Sequence, residues 1–306
     1  MDKPKLIVVL GPTACGKSDL GVALAKEYNG EIVSADSRQI YRGMDLGTGK
    51  ITPEEMDGVP HHMLDVLDPG QSYSVVQYQE GAYAAIDGIL ARGRLPFLVG
   101  GTGLYLRAVS EGYVFTGPPP DQALRAELEA MDMDALRQQL TDRGVELNED
   151  SYHNRPRLVR QLEKIRTGVD PHAETPREAK YDVLNLGVSY DRETICGRID
   201  VRLVRRLDAG MIEEVDRLRQ QGVSDRFLEG LGLEYRYITR YLTGELTSES
   251  DLIDELGRAI KRFAKRQVSW FKKDKDVHWL DMTADPVAEA QTLIQRFLER
   301  KLSKEL

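Results

Sequence analysis

Eight residues near the start of the chain, GPTACGKS at positions 11–18, have the types and spacing of a loop that binds phosphate groups. They follow the apolar run 6–10 and precede the amphipathic segment 19–28, so we expect a strand, a loop and a helix. The two glycines let the backbone amides turn toward an anion, and the helix start adds its positive dipole end. Lys17 supplies a mobile charge, and Ser18 a hydroxyl for Mg²⁺. The stretch predicts a diphosphate or polyphosphate site; the alternative is an ordinary glycine turn.

Two further polar segments follow apolar strands. Asp36 comes just after the short strand 31–34, and GGTGLY at 100–105 follows the strand 95–99. Ligands of open parallel sheets bind at the carboxyl ends of the strands, so we expect Asp36 to lie near the phosphate loop. A turn cap is the alternative for Asp36, and a tight strand-to-helix connection would explain the glycines but not Thr102. No Asp for Mg²⁺ ends the strand 95–99, which argues against a nucleotide triphosphatase.

The net charge of −8 argues against a nucleic-acid partner, but the basic residues are clustered. In the run 154–166, Arg157, Arg160 and Lys164 follow i, i+3, i+7 spacing and share one helix face. A solvated helix face is the alternative there. In the segment 251–273, basic residues alternate with aromatic ones, a pattern typical of a surface that contacts RNA phosphates and stacks on bases.

A second arginine-rich segment runs from 192 to 207. Arg198 and Arg202 lie one helical turn apart, a geometry suited to an anion, although surface pairing with acidic neighbours is the alternative. We interpret the glycine- and tyrosine-rich stretch 227–237 as a turn, and the segment 277–281 as an edge strand.

Composition bounds the class of protein. The 306 residues can bury a full core, and no stretch approaches the about 18 apolar residues of a membrane span. The chain runs almost directly into its first strand, so we expect no signal peptide and a cytoplasmic protein. Cys15 and Cys196 are the only cysteines, which makes a disulfide framework improbable. We expect the pKa of Cys15 to be depressed near a helix N-terminus, and alkylation there to block diphosphate binding. Adjacent His61 and His62 indicate a metal only weakly.

Taken together, the motifs resemble those of the tRNA dimethylallyltransferases (isopentenyltransferases) of bacterial type, over nearly the whole chain. The marks are GPTACGKS at 11–18, SADSRQIYRGMDLGTGK at 34–50, GGTGLY at 100–105, RPRLVRQLE at 155–163, RIDVR at 198–202 and KRQVSWF at 265–271. The resemblance implies an α/β fold: a P-loop NTPase-like parallel sheet core with an inserted all-helical domain and a helical C-terminal part. The core would comprise 1–116 plus 183–306, and the insert, 117–182, would grip the anticodon stem.

The family transfers a dimethylallyl group from dimethylallyl diphosphate to N6 of adenosine 37 in tRNAs that read codons starting with U, and Mg²⁺ is its cofactor. By this resemblance Asp36 is the general base, Thr102 bonds the bridging oxygen of the leaving diphosphate, and Arg198 binds the diphosphate from the far side. The implied diphosphate-binding residues are Gly11, Thr13, Ala14, Cys15, Gly16, Lys17, Ser18 and Arg198, with Ser18 also at the metal. The implied tRNA-contacting residues are Asp36, Ser37, Arg38, Gln39, Arg157, Leu158, Val159, Arg160, Gln161, Lys265, Arg266, Trp270, Lys272 and Lys273.

The partners implied are the anticodon stem-loop of tRNA and dimethylallyl diphosphate, with no membrane and no obligate protein partner, and we expect a monomer. Three alternatives stay open at this point. One is the same chemistry on free AMP, ADP or ATP, which would not need the basic helices. Another is a small-molecule kinase that uses ATP in the phosphate loop. The third is a non-catalytic RNA-binding protein on the same scaffold, which intact Asp36, Thr102 and Arg198 disfavour.

Overall fold

The structure is a computed structural model that describes residues 3–115, 121–147, 152–170 and 175–300, with Gln122 described by its backbone alone. Two compact units form, one from Met1–Gly112 with Ala179–Leu306 and the other from Tyr113–Glu178. The sequence places the limits of the insert at 117 and 182, a few residues later at each end. The predicted hinge at 117–120 lies outside the described residues.

A six-stranded sheet, parallel throughout, is the centre of the larger unit. Its strands are β1 (Lys5–Leu10), β2 (Gly30–Ala35), β3 (His61–His62), β4 (Leu95–Gly100), β5 (Asp182–Ser189) and β6 (Val277–Asp281), in the order β3-β2-β4-β1-β5-β6. The central strands are continuous apolar runs because helices cover both faces of the sheet. Strand β5 returns beside β1, and β6 is the outer strand, so the predicted α/β class with a parallel sheet is confirmed.

Helices flank the sheet and continue beyond it as a C-terminal layer. In chain order they are α1 (Lys17–Glu27), α2 (Pro53–Met56), α3 (Val75–Ala91) and α4 (Gly103–Arg107, extended by a π-helical turn at Ala108–Gly112); in the smaller unit α5 (Gln122–Ala130), α6 (Met133–Thr141) and α7 (Arg155–Arg166); then α8 (Arg192–Asp208), α9 (Met211–Gln220), α10 (Asp225–Leu231), α11 (Leu233–Leu242), α12 (Glu249–Phe271) and α13 (Pro286–Glu299).

Each face of the sheet has its own core. Leu20 and Leu24 of α1 pack with Ile294 of α13 on one face, while Tyr78 and Ile86 of α3 belong to the core on the other. Helix α3 begins where the sequence predicts, because Ser74 and Gln77 form a reciprocal capping box at its start. Among the described residues, no helix is both long and apolar enough to cross a membrane.

The interpretation of 227–237 as a turn was wrong. Helices α10 and α11 occupy this stretch, separated only by extended backbone at Gly232. Leu228, Tyr235 and Ile238 are fully buried in the C-terminal layer, so their helical spacing outweighs the local preference of the glycines for a turn. Here tertiary packing overrides the low helix propensity of the glycines.

The smaller unit is helical, as predicted, and has a separate core. Leu128, Leu136, Leu140 and Leu162 are fully buried there. The buried carboxylate of Glu163 ties two of its helices together: Arg125 of α5 donates two hydrogen bonds to it at 2.7 and 3.0 Å.

Candidate active site

A cavity of about 1150 Å³ lies at the carboxyl edge of the sheet of the larger unit. The segments that follow β1, β2 and β4 line it, together with one face of α8 and part of α12. Asp36, Thr102 and Arg198 are all among its lining residues, as is the phosphate loop. The structure thus brings together the three groups that the sequence predicts to act on one reaction.

The phosphate loop curls as the glycine pattern predicts. Gly16 has φ 84° and Ala14 φ 60°, the left-handed region that glycine enters without cost and in which the Cβ of Ala14 is unfavourable. A Cβ at Gly11 would lie 2.2 Å from the carbonyl oxygen of Val188, so that position has room only for glycine. Lys17 Nζ lies in the loop and donates to the Pro12 carbonyl at 3.1 Å.

Gln267 of α12 holds the phosphate loop against the loop that follows β4. Its Oε1 accepts from the Thr13 N–H at 3.0 Å, and its Nε2 donates to the Gly101 carbonyl at 2.9 Å. One amide side chain therefore fixes the spacing of the two glycine turns. Sequence reasoning missed Gln267, although it stands inside the KRQVSWF motif between two residues that were selected.

The expectation for Cys15 was wrong. Its side chain is fully buried in the core beneath the loop, and this burial raises the pKa of the thiol, against smaller opposing effects from Lys17 and Arg198. A buried protonated thiol is a poor nucleophile. Alkylation of Cys15 in the folded protein is therefore not expected, and Cys15 can contribute only its backbone to an anion.

Asp36 and Thr102 belong to two turns that are joined by hydrogen bonds. The Ser37 N–H donates to Thr102 Oγ1 at 3.1 Å, and the Thr102 N–H donates to the Ala35 carbonyl at 3.1 Å. Asp36 Oδ1 accepts from the Arg38 N–H at 2.9 Å. Within the described residues Asp36 Oδ2 has no hydrogen-bond partner, so one carboxylate oxygen is left for a ligand.

The residues after Asp36 also line the cavity. Gln39 Nε2 donates to the Gly49 carbonyl at 3.1 Å. The Arg38 guanidinium lies 5.3 Å from the ring of Phe263 and 3.8 Å from Glu234. Ser37, Arg38 and Gln39 thus lie beside Asp36 in the lining of the cavity.

Helix α8 presents a row of arginines to the cavity. Arg198 Nε donates to the Ala14 carbonyl at 2.8 Å, and Arg202 Nη1 donates to Thr13 Oγ1 at 3.2 Å, so both reach the phosphate loop. Arg206 lies 3.9 Å from Glu234. In the sequence Arg202 stands one helical turn from Arg198, yet only Arg198 was predicted as a site residue.

Glu234 is the acidic counterpart of these arginines and was missed by sequence reasoning. Its carboxylate is nearly buried at the start of α11, between Arg38 and Arg206. Burial raises the pKa of Glu234, and Arg38 opposes this shift. Burial likewise lowers the pKa of Arg202, which Glu234 opposes. The stretch around Glu234 drew attention in the sequence only as a glycine-rich turn.

The aromatic and basic residues of α12 divide into two groups. Trp270 and Arg266 line the cavity. Trp270 is a wall of it: a Cβ at Gly103 would lie 2.4 Å from its ring, and the Arg107 guanidinium lies 4.2 Å from the ring centroid. The exposed side chains of Lys265 on α12, and of Lys272 and Lys273 just after its end, do not line the cavity.

In the smaller unit the predicted tRNA-contacting residues are placed unequally. Leu158 and Val159 are buried in its core, so the expectation that they contact RNA is wrong for their side chains. Arg160 pairs with Glu163 at 2.9 Å, and Gln161 is half-buried. Arg157 is exposed and has no side-chain partner among the described residues.

The two histidines do not form a metal site. His62 Nε2 lies 2.6 Å from Glu31, and His61 Nδ1 lies 2.8 Å from the Val59 carbonyl. Burial lowers the pKa of His61. Across the described parts of the chain, no group of three or more His, Cys, Asp or Glu side chains could hold a metal ion.

The family model described as IPP transferase matches residues 39–274, and a second one, described as isopentenyl transferase, matches residues 4–69. The chain therefore belongs to the IPP transferase family.

Individual members of this family that are similar to the chain carry more specific names. The chain is 44% identical over 290 residues to tRNA dimethylallyltransferase 1 of Geotalea daltonii, with 93% of each chain covered. The crystal structure of the tRNA isopentenylpyrophosphate transferase of Bacillus halodurans superposes with a TM-score of 0.74 at 37% identity, over 97% of both chains. A eukaryotic dimethylallyltransferase, solved while acting on tRNA, gives a TM-score of 0.79 at 26% identity, over 99% of this chain and 81% of the other.

Proposed function

We propose that this protein is a tRNA dimethylallyltransferase that moves the dimethylallyl group of dimethylallyl diphosphate to N6 of adenosine 37. The observation that carries the proposal is the meeting of Asp36, Thr102 and Arg198 around one phosphate loop in one cavity. The relatives with this named activity, matched over nearly the whole chain, support it.

The base in this reaction is Asp36. An adenine amino group is a weak nucleophile because its lone pair is delocalised into the ring. The Asp36 carboxylate has an oxygen without a partner among the described residues, and it accepts the N6 proton as the new C–N bond forms. The bond from the allylic carbon to the diphosphate oxygen breaks in the same process, and its electron pair leaves with the diphosphate.

The leaving diphosphate gathers negative charge as the allylic carbon becomes cation-like. The loop amides, Lys17 and Arg198 stabilise that charge at fixed positions, which is the main electrostatic task of the site. Thr102 Oγ1 is placed by the Ser37 N–H and can donate its own proton to the bridging oxygen. Because these groups stabilise the leaving diphosphate and the step has no attacking water, the reaction needs neither an Asp after β4 nor a residue that activates water.

Mg²⁺ fits this donor set. Ser18, the last residue of the phosphate loop, would hold it with one hydroxyl, and no cluster of three acidic or histidine ligands exists in the described residues. Mg²⁺ characteristically keeps several waters and takes its other ligands from substrate phosphates. When bound, the ion supplies further charge neutralisation of the diphosphate.

The proposed acceptor is the anticodon stem-loop rather than a free nucleotide. A base inside an RNA loop must leave its stack to be modified, and the cavity is far larger than a five-carbon diphosphate needs. Arg38, Gln39 and Arg266 line the acceptor side of the cavity, and the exposed Lys265, Lys272 and Lys273 on and beside α12 would contact the RNA backbone. A bacterial-type enzyme of this kind would act in the cytoplasm as a monomer.

The test is transfer of label from dimethylallyl diphosphate with Mg²⁺ to unmodified tRNA with A at position 37. A tRNA with G at 37 and free AMP are the controls. Label on the A37 tRNA alone supports the proposal. Label on AMP would place the protein among adenylate isopentenyltransferases, and absence of transfer to any acceptor would refute the proposal.

A further inference from the structure

A buried carboxylate outside the cavity holds one of the cavity's loops. Glu214 lies on α9 and is only 2% exposed. Its Oε2 accepts from the backbone N–H groups of Asp45 and Leu46 at 2.9 and 2.8 Å, and its Oε1 accepts from the Gly47 N–H at 3.0 Å. Three successive amides therefore converge on one carboxylate, as they do around a bound anion.

The fourth partner of Glu214 comes from α11. The Tyr235 hydroxyl donates to Oε1 at 2.7 Å, and the Tyr235 side chain is fully buried. The hydroxyl end of the same ring packs closely against the loop, because a Cβ at Gly47 would be 2.5 Å from Tyr235 Cζ and 2.8 Å from its hydroxyl oxygen. Within the described residues no Lys or Arg pairs with Glu214, so neutral donors alone satisfy this buried charge. Such a group is costly to bury unless every acceptor site is used.

The loop that Glu214 holds leads directly to the cavity. After the three bonded amides the backbone closes a turn, with the Gly49 N–H donating to the Leu46 carbonyl at 3.2 Å and the Lys50 N–H donating to the Asp45 carbonyl at 2.9 Å. The residues of this loop line the cavity. The Gly49 carbonyl is the acceptor for Gln39 Nε2.

Gly49 is also in close contact with two of the α8 arginines. A Cβ there would lie 1.4 Å from Arg206 Nη2 and 2.2 Å from Arg202 Nη2. Arg202 in turn donates to Thr13 Oγ1 in the phosphate loop. A continuous set of contacts thus runs from Glu214 through the loop to Gly49, then to Gln39 on one side and to the arginines on the other.

We propose that Glu214 is a positioning residue for the reaction: by gathering the amides of Asp45, Leu46 and Gly47 it fixes the loop 45–49, which sets Gln39 and Arg206 for the acceptor. It touches neither substrate, and the inference rests on the proposed function for the identity of that acceptor. Arg202 contacts both Gly49 and the phosphate loop, but Lys17 and Arg198 reach the phosphate loop without contacting Gly49. We therefore expect binding of the diphosphate to depend less on Glu214 than binding of the acceptor does.

The test compares Glu214→Gln with Tyr235→Phe as the matched control. The Gln side chain has the same shape but puts an N–H₂ donor where an acceptor is needed, whereas Tyr235→Phe removes one bond and leaves all three loop amides held. We expect E214Q to lower kcat/KM for tRNA about tenfold or more while KM for dimethylallyl diphosphate stays within about threefold. Y235F should remain within about threefold of wild type in both constants.

A second readout does not depend on activity. Amide hydrogen exchange should become at least about tenfold faster in the peptide that covers 45–49 in E214Q, but not in peptides from β1 or α1. Equal losses for both substrates, with exchange at 45–49 no faster relative to β1 and α1 than in wild type, would overturn the inference, because a general loss of stability speeds exchange across the whole fold and not at this loop alone. Should wild type itself fail to transfer, the proposed function falls, while the exchange experiment still tests the placement of the loop.

Discussion

Helices α7 and α8 are both rich in arginine, yet the two regions use their positive charge in different ways. On α7, Arg155 donates to the carbonyls of Glu129 and Met131, Arg160 pairs with buried Glu163, and Arg166 pairs with Glu127. These cations hold the smaller unit together internally.

On α8 the arginines point to the cavity and the phosphate loop. Arg198 and Arg202 bond loop atoms, and Arg205, which also lines the cavity, has no partner among the described residues. The number of basic residues in a helix therefore says little about how much of its positive charge is available to a ligand. What decides is whether acidic side chains and helix-end carbonyls of the same unit lie within reach.

Of the arginine and glutamate variants considered for these regions, Arg198→Ala should have the largest effect, and the effect should be on kcat. The guanidinium would no longer stabilise the leaving diphosphate, so we expect kcat to fall about 10²–10³-fold. The midpoint of thermal unfolding should hardly change because the side chain is exposed. Steady-state kinetics and thermal unfolding check this, and a kcat within a few-fold of wild type would place Arg198 with the arginines of α7.

A third group of arginines lies outside the cavity lining and stabilises the fold. Arg92 and Arg94 pair with Glu31, which is almost fully buried, and the pKa of Glu31 is lowered from 4.5 to about 2, first by the hydrogen bonds from Arg92. A depressed folded-state pKa contributes stability above the unfolded value and loses it as pH falls. We expect about 2–3 kcal/mol to be lost between pH 4.5 and 2.

The measurement for Glu31 is the pH dependence of the free energy of unfolding. Glu31→Gln cannot titrate, so the difference between wild type and this variant should shrink as pH falls through that window. A constant difference from neutral pH down to the acid limit would contradict the assignment.

Within the smaller unit, Glu163→Gln should lower the free energy of unfolding by about 1–3 kcal/mol, since it weakens the bonds from Arg125 and Arg160 to a buried acceptor. The matched control is Glu127→Gln, where the pair with Arg166 is largely exposed and should be worth less than about 1 kcal/mol. Hydrogen exchange resolved to α5 and α7 measures both. Equal effects of the two variants would show that burial does not govern these ion pairs.

The smallest effect should come from the cations of α7 that have no internal partner. Arg157 and Lys164 have none among the described residues. The double variant Arg157→Ala with Lys164→Ala should weaken tRNA binding and reduce the slope of log affinity against log salt by up to about two. Binding titrations at several salt concentrations check this, with Arg160→Ala as the comparison because its charge is already paired. A larger loss from Arg160→Ala than from the double variant would reverse the interpretation of α7.

The sequence predicted the parts of the fold that depend on local pattern. The apolar runs, the glycine loop and the capped start of α3 follow from periodicity and turn chemistry, and each is present in the structure. The glycines at 230 and 232 misled the prediction of a turn, because burial of Tyr235 and Ile238 is a property of the whole C-terminal layer. The prediction of a reactive thiol at Cys15 was wrong for a similar reason: its neighbours in sequence suggest reactivity, but its side chain packs under the loop.

For the candidate site, the sequence could find residues that stand at strand ends, such as Asp36 and Thr102. Glu214, Glu234 and Gln267 could not be found in this way. Each acts across 160 or more residues of chain, and only the folded structure brings it to its partner. Residues that organise a site from a distance have no local pattern of their own.

The role of Asp36 as the base is tested by the single-turnover rate of dimethylallyl transfer to tRNA with A37, for wild type and for Asp36→Asn. The amide keeps the size of the side chain and its hydrogen bond from Arg38 but cannot take the N6 proton. We expect a transfer rate about 10²–10⁴-fold lower in the variant, with binding of dimethylallyl diphosphate within a few-fold of wild type. Transfer by Asp36→Asn at the wild-type rate would contradict that role.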